Sequence, residues 1–308
     1  MSRRLAEPSN RGACLGYEIR SSIPFQTLRT GPGTPLYVEE RPDLGADGDT
    51  LLSWQPRPGN PFHGRLVKTG SMYAFWTSDT GWYLIDPKVP SITMSPADNP
   101  LRREVRMFGV PTSICTLERG DVSIHASAVE VAGRAVLLAG PSRYGKTTLA
   151  SALAQAGHRL LAEDSSRCST GEPPMVMPGP AVLRLREDVV PFVDLPATRV
   201  GLDSDGRVAL VLDEQERGDG SGVPLRAILF LRSGSGPPTL EPVRTPDALR
   251  DILALTFQLP DHASRASAFS RVADLSARVD TFDLRRRMES SATGEVVRLI
   301  QDLAASDG

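Results

Sequence analysis

The stretch "AGPSRYGKTTLA", residues 139–150, constrains this chain more than any other part of it. Gly140, four intervening residues and then Gly145, Lys146 and Thr147 lie between the apolar run "RAVLL" and a segment with helical spacing, so the motif predicts strand, loop and helix in that order. The residue types have a physical reason. Glycines let the backbone fold round an anion with several N–H groups pointing inward, and the helix N-terminus adds favourable partial charge. Lys146 would reach the β- and γ-phosphates and the Thr147 hydroxyl would ligate Mg²⁺. The expected ligand is a nucleoside triphosphate, contacted by Gly140, Ser142, Tyr144, Gly145, Lys146, Thr147 and Thr148.

Binding a nucleotide leaves open what becomes of its γ-phosphate, so the next carboxylates matter. "HRLLAEDSS" places Glu163 and Asp164 at the end of an apolar strand that follows the loop helix. A carboxylate there can hold Mg²⁺ or accept a proton from an attacking hydroxyl, and the residues alone do not divide these roles. Upstream, His125 in "VSIHASAV" reads either as a hydrogen-bonded core histidine or as a catalytic group.

The remaining composition is ordinary. At 308 residues there is ample length for a core, and 35 Lys+Arg against 37 Asp+Glu leave none of the basic excess that nucleic-acid binding needs. No apolar run of about 18 residues is present, so no membrane span is expected. Three widely spaced cysteines, Cys14, Cys115 and Cys168, read as reduced thiols, and the expected location is the cytoplasm.

Along the chain, residues 1–110 show short alternating β-prone runs, "GYEIRSS", "PLYVEER", "HGRLVKTG", "MYAFWTS" and "GWYLIDP", which predict a β-rich N-terminal region. "RPDLGADGDTLLSWQPRPGNP" reads as a loop, and residues 100–118 as a helix interrupted near Pro111. Trp54, Trp76 and Trp82 with Tyr73, Phe75 and Tyr83 read as the core of this region. Residues 111–308 alternate apolar strands with helices and predict an α/β nucleotide-binding domain. Within it, "LRRRME", with Arg285, Arg286 and Arg287, reads as a solvated charge run or as a contact for a phosphorylated or acidic partner.

Taken together, "IHASAVEVAGRAVLLAGPSRYGKTTLASALAQAGHRLLAED" resembles the HPr kinase family, and more closely the HPr-kinase-like proteins of biosynthetic clusters, including the kinases of lasso-peptide precursors. The resemblance implies an α/β P-loop kinase core of the HPr kinase and phosphoenolpyruvate carboxykinase type. It also implies transfer of phosphate from ATP, with Mg²⁺, to a serine-like hydroxyl of a peptide or small natural product. By position it makes Glu163 the general base, Asp164 and Thr147 the Mg²⁺ ligands, and His125 a group that orients the acid, with Lys146 on the transferred phosphate. Self-association to a homo-oligomer is a further implication.

Three departures accompany the likeness. The family's Asp-Asp pair is Glu163-Asp164 here, the loop carries Arg143 where the family has glycine, and the family's downstream signature is replaced by "PGPAVLRLREDVV". HPr is therefore not the expected acceptor. Arg184, Arg186 and Glu187 in that stretch read as the solvated face of an edge strand, or as contacts to nucleotide or acceptor phosphate. A nucleotide-binding switch or scaffold with little phosphotransfer is the rival reading.

Overall fold

The computed structural model describes residues 9–56, 61–202, 206–287 and 293–306. Its N-terminal region is an eight-stranded sheet whose strands run β1 (Asn10–Cys14), β2 (Tyr17–Ser21), β3 (Thr34–Glu40), β4 (Asp49–Trp54), β5 (Gly64–Thr69), β6 (Met72–Thr77), β7 (Gly81–Asp86) and β8 (Ser91–Met94). Their spatial order is β1-β2-β3-β8-β7-β6-β5-β4. Strand β4 lies inside the interval that the sequence predicts as a loop. Its "TLLSW" run pairs antiparallel with β5, so a partner strand overrides the flanking turn residues.

Helices α1 (Pro100–Met107) and α2 (Val110–Glu118) replace the single interrupted helix. The break falls at Phe108 and Gly109, and Pro111 sits in the first turn of α2, where its missing N–H costs nothing. Asn99 caps α1 by accepting from the Arg102 N–H at 2.9 Å. Ile19, Leu36, Leu66, Phe75, Tyr83, Ile85 and Ile92 from the sheet pack with Met107, Phe108, Ile114 and Cys115 from the helices into one apolar core.

The aromatic set does not all join that core. Phe75 and Tyr83 are buried, and Trp54 meets Phe75 edge-on at 5.4 Å between ring centroids. Trp76 and Trp82 are cross-strand neighbours outside that core cluster, with the Arg65 guanidinium 5.2 Å above the Trp82 ring. Strand alternation sends residues 75 and 76 to opposite faces.

From β9 (Val122–Ile124) onward the chain builds a second, nine-stranded sheet with β10 (Ala126–Val131), β11 (Arg134–Ala139), β12 (Arg159–Ala162), β13 (Ser166–Cys168), β14 (Met175–Met177), β18 (Val223–Ser233), β19 (Thr239–Pro242) and β20 (Asp280–Arg286). A third sheet is formed by β15 (Val182–Arg186), β16 (Ala197–Leu202) and β17 (Arg207–Leu212) in the order β15-β17-β16. The helices are α3 (Lys146–Gln155), α4 (Glu214–Arg217), α5 (Thr245–Leu255), α6 (His262–Arg278) and α7 (Thr293–Ala305). The class is thus mixed α/β with three sheets, more strand-rich between 122 and 233 than simple alternation predicts.

Strand β11 is the axis of the second sheet. It pairs antiparallel with β10 and parallel with β18, which in turn pairs parallel with β20. Ala135 to Ala139 are fully enclosed because both faces are covered. Val136 and Leu138 pack with Leu149 and Leu153 of α3 and Ile300 of α7, whereas Leu137 packs on the other side with Ile252 of α5 and Val272 of α6. Each fully enclosed aliphatic side chain contributes about 1.5–3 kcal/mol.

Polar bonds tie the two regions together. Arg29 is 1 % exposed and has no acidic partner among the described residues. Its Nε donates to the Gly179 carbonyl at 2.8 Å and its Nη2 to the carbonyls of Leu160 and Leu161 at 2.9 and 3.2 Å. Within the N-terminal region, Glu104 of α1, also buried, accepts from the Gln26 and Thr27 N–H groups at 2.8 Å each. Replacing Arg29 by Ala removes a donor from three carbonyls, of which Leu161 keeps the Gly179 N–H, and the expected loss in urea unfolding is about 2–4 kcal/mol. A loss below about 0.5 kcal/mol, the range of ordinary surface changes, would contradict this account.

Candidate active site

The loop between β11 and α3 turns tightly at two places. Gly145 at φ 79° hands the chain to the helix, and Arg143 at φ 71° occupies the left-handed region that a glycine takes without steric cost. Arg143 stands there with its side chain exposed. No side chain caps α3, so its first N–H groups are free of a side-chain acceptor.

Lys146, 7 % exposed, bends back over the loop and donates from Nζ to the Gly140 and Pro141 carbonyls at 2.8 and 3.1 Å. Burial lowers its pKa, against the pull of Asp164 and Glu163. Ser142 and Thr148 are exposed at the loop surface. Tyr144 behaves differently, since its side chain packs against the apolar core cluster and only its backbone faces the loop.

Strand β12 delivers the acidic pair to the same place, and the two acids have unlike surroundings. Glu163 is almost completely enclosed. Its Oε1 accepts from the Thr147 hydroxyl at 2.9 Å and its Oε2 from Arg184 Nε at 3.1 Å, while Arg207 Nη1 stands 3.9 Å from Oε1. Burial raises the Glu163 pKa, and Arg184 opposes that rise. Asp164, at φ 68°, leaves 43 % of its side chain exposed. Burial works against its charge, but Arg184, His125 and Arg207 outweigh it and hold the carboxyl below its usual range.

Arg184 is thus a bridge between the acids, with Nη2 donating to Asp164 Oδ2 at 2.7 Å. It is 7 % exposed, which corrects the solvated-edge reading of "VLRLR". Leu183 and Leu185 enter one apolar cluster and Val182 another, so β15 is covered on both faces and its polar alternation faces the site rather than water. Arg186 and Glu187 are exposed, as a solvated edge would have them.

His125 sits in the break between β9 and β10, where the predicted single strand is interrupted. Its N–H donates to the Leu255 carbonyl at 2.8 Å. Its Nδ1 lies 2.8 Å from the Asp164 carbonyl oxygen and 3.3 Å from Asp164 Oδ1. Desolvation lowers its pKa despite Asp164, which favours a neutral ring; a carbonyl at Nδ1 then requires the proton there and leaves Nε2 as an acceptor.

These elements surround a cavity of about 310 Å³. Among its walls, Arg143, Lys146, Arg184, Arg186, Arg207 and Arg286 face only two acids, Asp164 and Asp188, an excess of four positive charges. Of the residues that the sequence singled out, His125, Ser142, Gly145, Lys146, Thr147, Thr148 and Asp164 line it, whereas Gly140 and the Tyr144 and Glu163 side chains lie behind the wall.

Two cationic wall residues were not placed at the site by the sequence reading. Arg207 opens β17 and carries no motif. Arg286 was grouped with Arg285 and Arg287 as solvated charge, yet it is 6 % exposed while they are exposed. The period-two pattern held the clue, for Arg286 shares the face of the buried Leu284.

Removing Arg184 leaves Glu163 as an enclosed, under-compensated carboxylate. We expect Arg184→Met to cost about 3–5 kcal/mol in chemical unfolding, and Glu163→Gln in the same background to recover at least about 1 kcal/mol of it. Strict additivity of the two changes would show that the bridge carries no coupling.

No family model matches this chain, and no curated protein matches it. Among solved structures, the Hpr(Ser) kinase/phosphatase from Coxiella burnetii is similar over 58 % of this chain and 94 % of that one, at 10 % identity and a TM-score of 0.32. A likeness that loose assigns neither residues nor an activity. Among the described residues, no helix is long and apolar enough to cross a membrane.

Proposed function

We propose that this protein is an ATP-dependent kinase that transfers the γ-phosphoryl group to a serine-like hydroxyl of a peptide or small natural product. One observation carries the reading: a cavity whose wall has an excess of four positive charges lies against the glycine-lysine-threonine loop, with Asp164 in the wall beside a histidine and Glu163 directly behind it. The cations suit a polyphosphate, and the acids supply what a mere anion-binding site would not need.

The oxygen donors fit Mg²⁺. Thr147, Asp164 and Glu163 offer hard oxygens, and no group of three or more His, Cys, Asp or Glu among the described residues could hold a metal. An ion held by one or two carboxylates and completed by phosphate oxygens matches that set. When bound, Mg²⁺ offsets the charge on the phosphates. Lys146 leaves its loop carbonyls to reach the same charge, and a carboxylate takes the proton as the acceptor oxygen bonds to phosphorus and the bond to ADP breaks.

The resemblance gives the proton to Glu163 and the metal to Asp164. The reverse division has the better access, because Asp164 lines the cavity beside His125 while Glu163 is enclosed and bonded to Thr147. Against it, Arg184 holds Asp164 below its usual range despite burial, whereas burial raises Glu163 toward that of a working base. The divisions separate in kinetics. On the reverse one, Glu163→Gln raises the Mg²⁺ concentration needed for half-maximal rate, and Asp164→Asn lowers kcat by about 10²-fold or more at saturating Mg²⁺; the opposite pattern would return the base to Glu163.

The decisive experiment is intact-mass analysis of candidate acceptor peptides after incubation with Mg²⁺-ATP. We expect a phosphate-sized gain that Lys146→Ala reduces by at least about 10²-fold. Tight ATP binding with no gain on any peptide or hydroxylated small molecule would favour the switch reading instead.

A further inference from the structure

Arg286 is a buried cation that faces the cavity without a carboxylate partner among the described residues. It ends β20, is 6 % exposed and lines the cavity. Among the described residues no carboxylate meets it, and the only bonds it shows are to backbone carbonyls, Nη2 to Tyr144 at 3.1 Å and Nη1 to Arg287 at 3.4 Å. Its Nε is enclosed and has no partner. A guanidinium has five N–H donors, so most of this one's capacity is unused in a setting where an unpaired cation is costly. Burial lowers its pKa without a carboxylate to oppose the effect.

Its place in the sheet gives this a direction. The strands run β12-β10-β11-β18, with β20 beyond β18. The loop follows β11, His125 precedes β10 and the acidic pair follows β12, so the groups suited to the transferred phosphate lie on one flank. Arg286 stands on the other, two strands or about 10 Å from β11. Thr293, the first residue of the 13-residue helix α7, also lines the cavity, where the helix N-terminus is a second contributor of positive potential. Glu295 in that first turn is exposed and does not line the cavity.

We propose that Arg286, with the N-terminal turn of α7, forms a subsite for the phosphate nearest the nucleoside of the donor. This rests on the phosphate-donor reading of the loop. If the terminal phosphate meets Thr147 and the acids, the nucleoside end must leave across the opposite flank, toward Arg286. The Arg286 bond to the Tyr144 carbonyl makes the same side chain a positioning residue for the loop, which explains why it is buried rather than extended into water.

The test uses the full chain and calorimetric titration with ATP and ADP, with no acceptor present. Arg286→Gln should weaken both nucleotides alike, by about tenfold or more, and Arg286→Lys should recover part of the loss by restoring charge without the fork. The Lys variant also guards against misfolding, and its melting temperature should stay near that of the wild type. Unchanged ADP affinity in Arg286→Gln, or a loss confined to ATP, would overturn the subsite while leaving the donor reading intact. Failure of the wild-type protein to bind either nucleotide would remove the donor reading, and the subsite with it.

Discussion

The site hangs on one enclosed carboxylate and the cation that makes it tolerable. Glu163 lies where an isolated charge would cost several kcal/mol, and Arg184 meets it at 3.1 Å while also reaching Asp164 at 2.7 Å. That pairing joins the second sheet to the third, since Glu163 follows β12 and Arg184 is on β15. It also fixes where the loop helix begins, because the remaining Glu163 oxygen takes the Thr147 hydroxyl. Strand, loop and small sheet are therefore registered on one another by a single charge-assisted network.

The network also explains why two adjacent acids differ in character. The left-handed backbone at Asp164 turns the chain after Glu163, so one side chain points inward and the next reaches the cavity. His125 reads this turn directly, for its Nδ1 is nearest the Asp164 carbonyl and only then the carboxylate. Strain at such a residue is common where a site needs a side chain aimed against the run of its strand.

Much of this was legible beforehand in particular residues. The "GPSRYGKT" run announced its strand and helix, and β11 and α3 lie where it put them, because glycines and a lysine at that spacing admit few local folds. His125, Lys146, Thr147, Glu163 and Asp164 were singled out as a set, and all but Glu163, which lies directly behind the wall, line one cavity. What escaped was non-local. "TLLSW" is a strand only because β5 accepts it, Arg184 is a core residue only because both faces of β15 are covered, and Arg286 is enclosed only because β20 pairs with β18. Composition and period describe a segment, whereas burial of a charge depends on what the rest of the chain brings to it.

The N-terminal sheet looks like an accessory, yet Arg29 places three of its hydrogen bonds on carbonyls at 160, 161 and 179, the first two within the strand that presents the acidic pair. Backbone bonds from Leu15 to Pro178, and from Ala181 to Thr27, stitch the same seam. The foundation of the candidate active site is thus borrowed from outside its own domain. The two halves of this chain are not interchangeable modules: a recombination event that exchanged one for an unrelated partner would have to supply a substitute for that arginine before the site could reform.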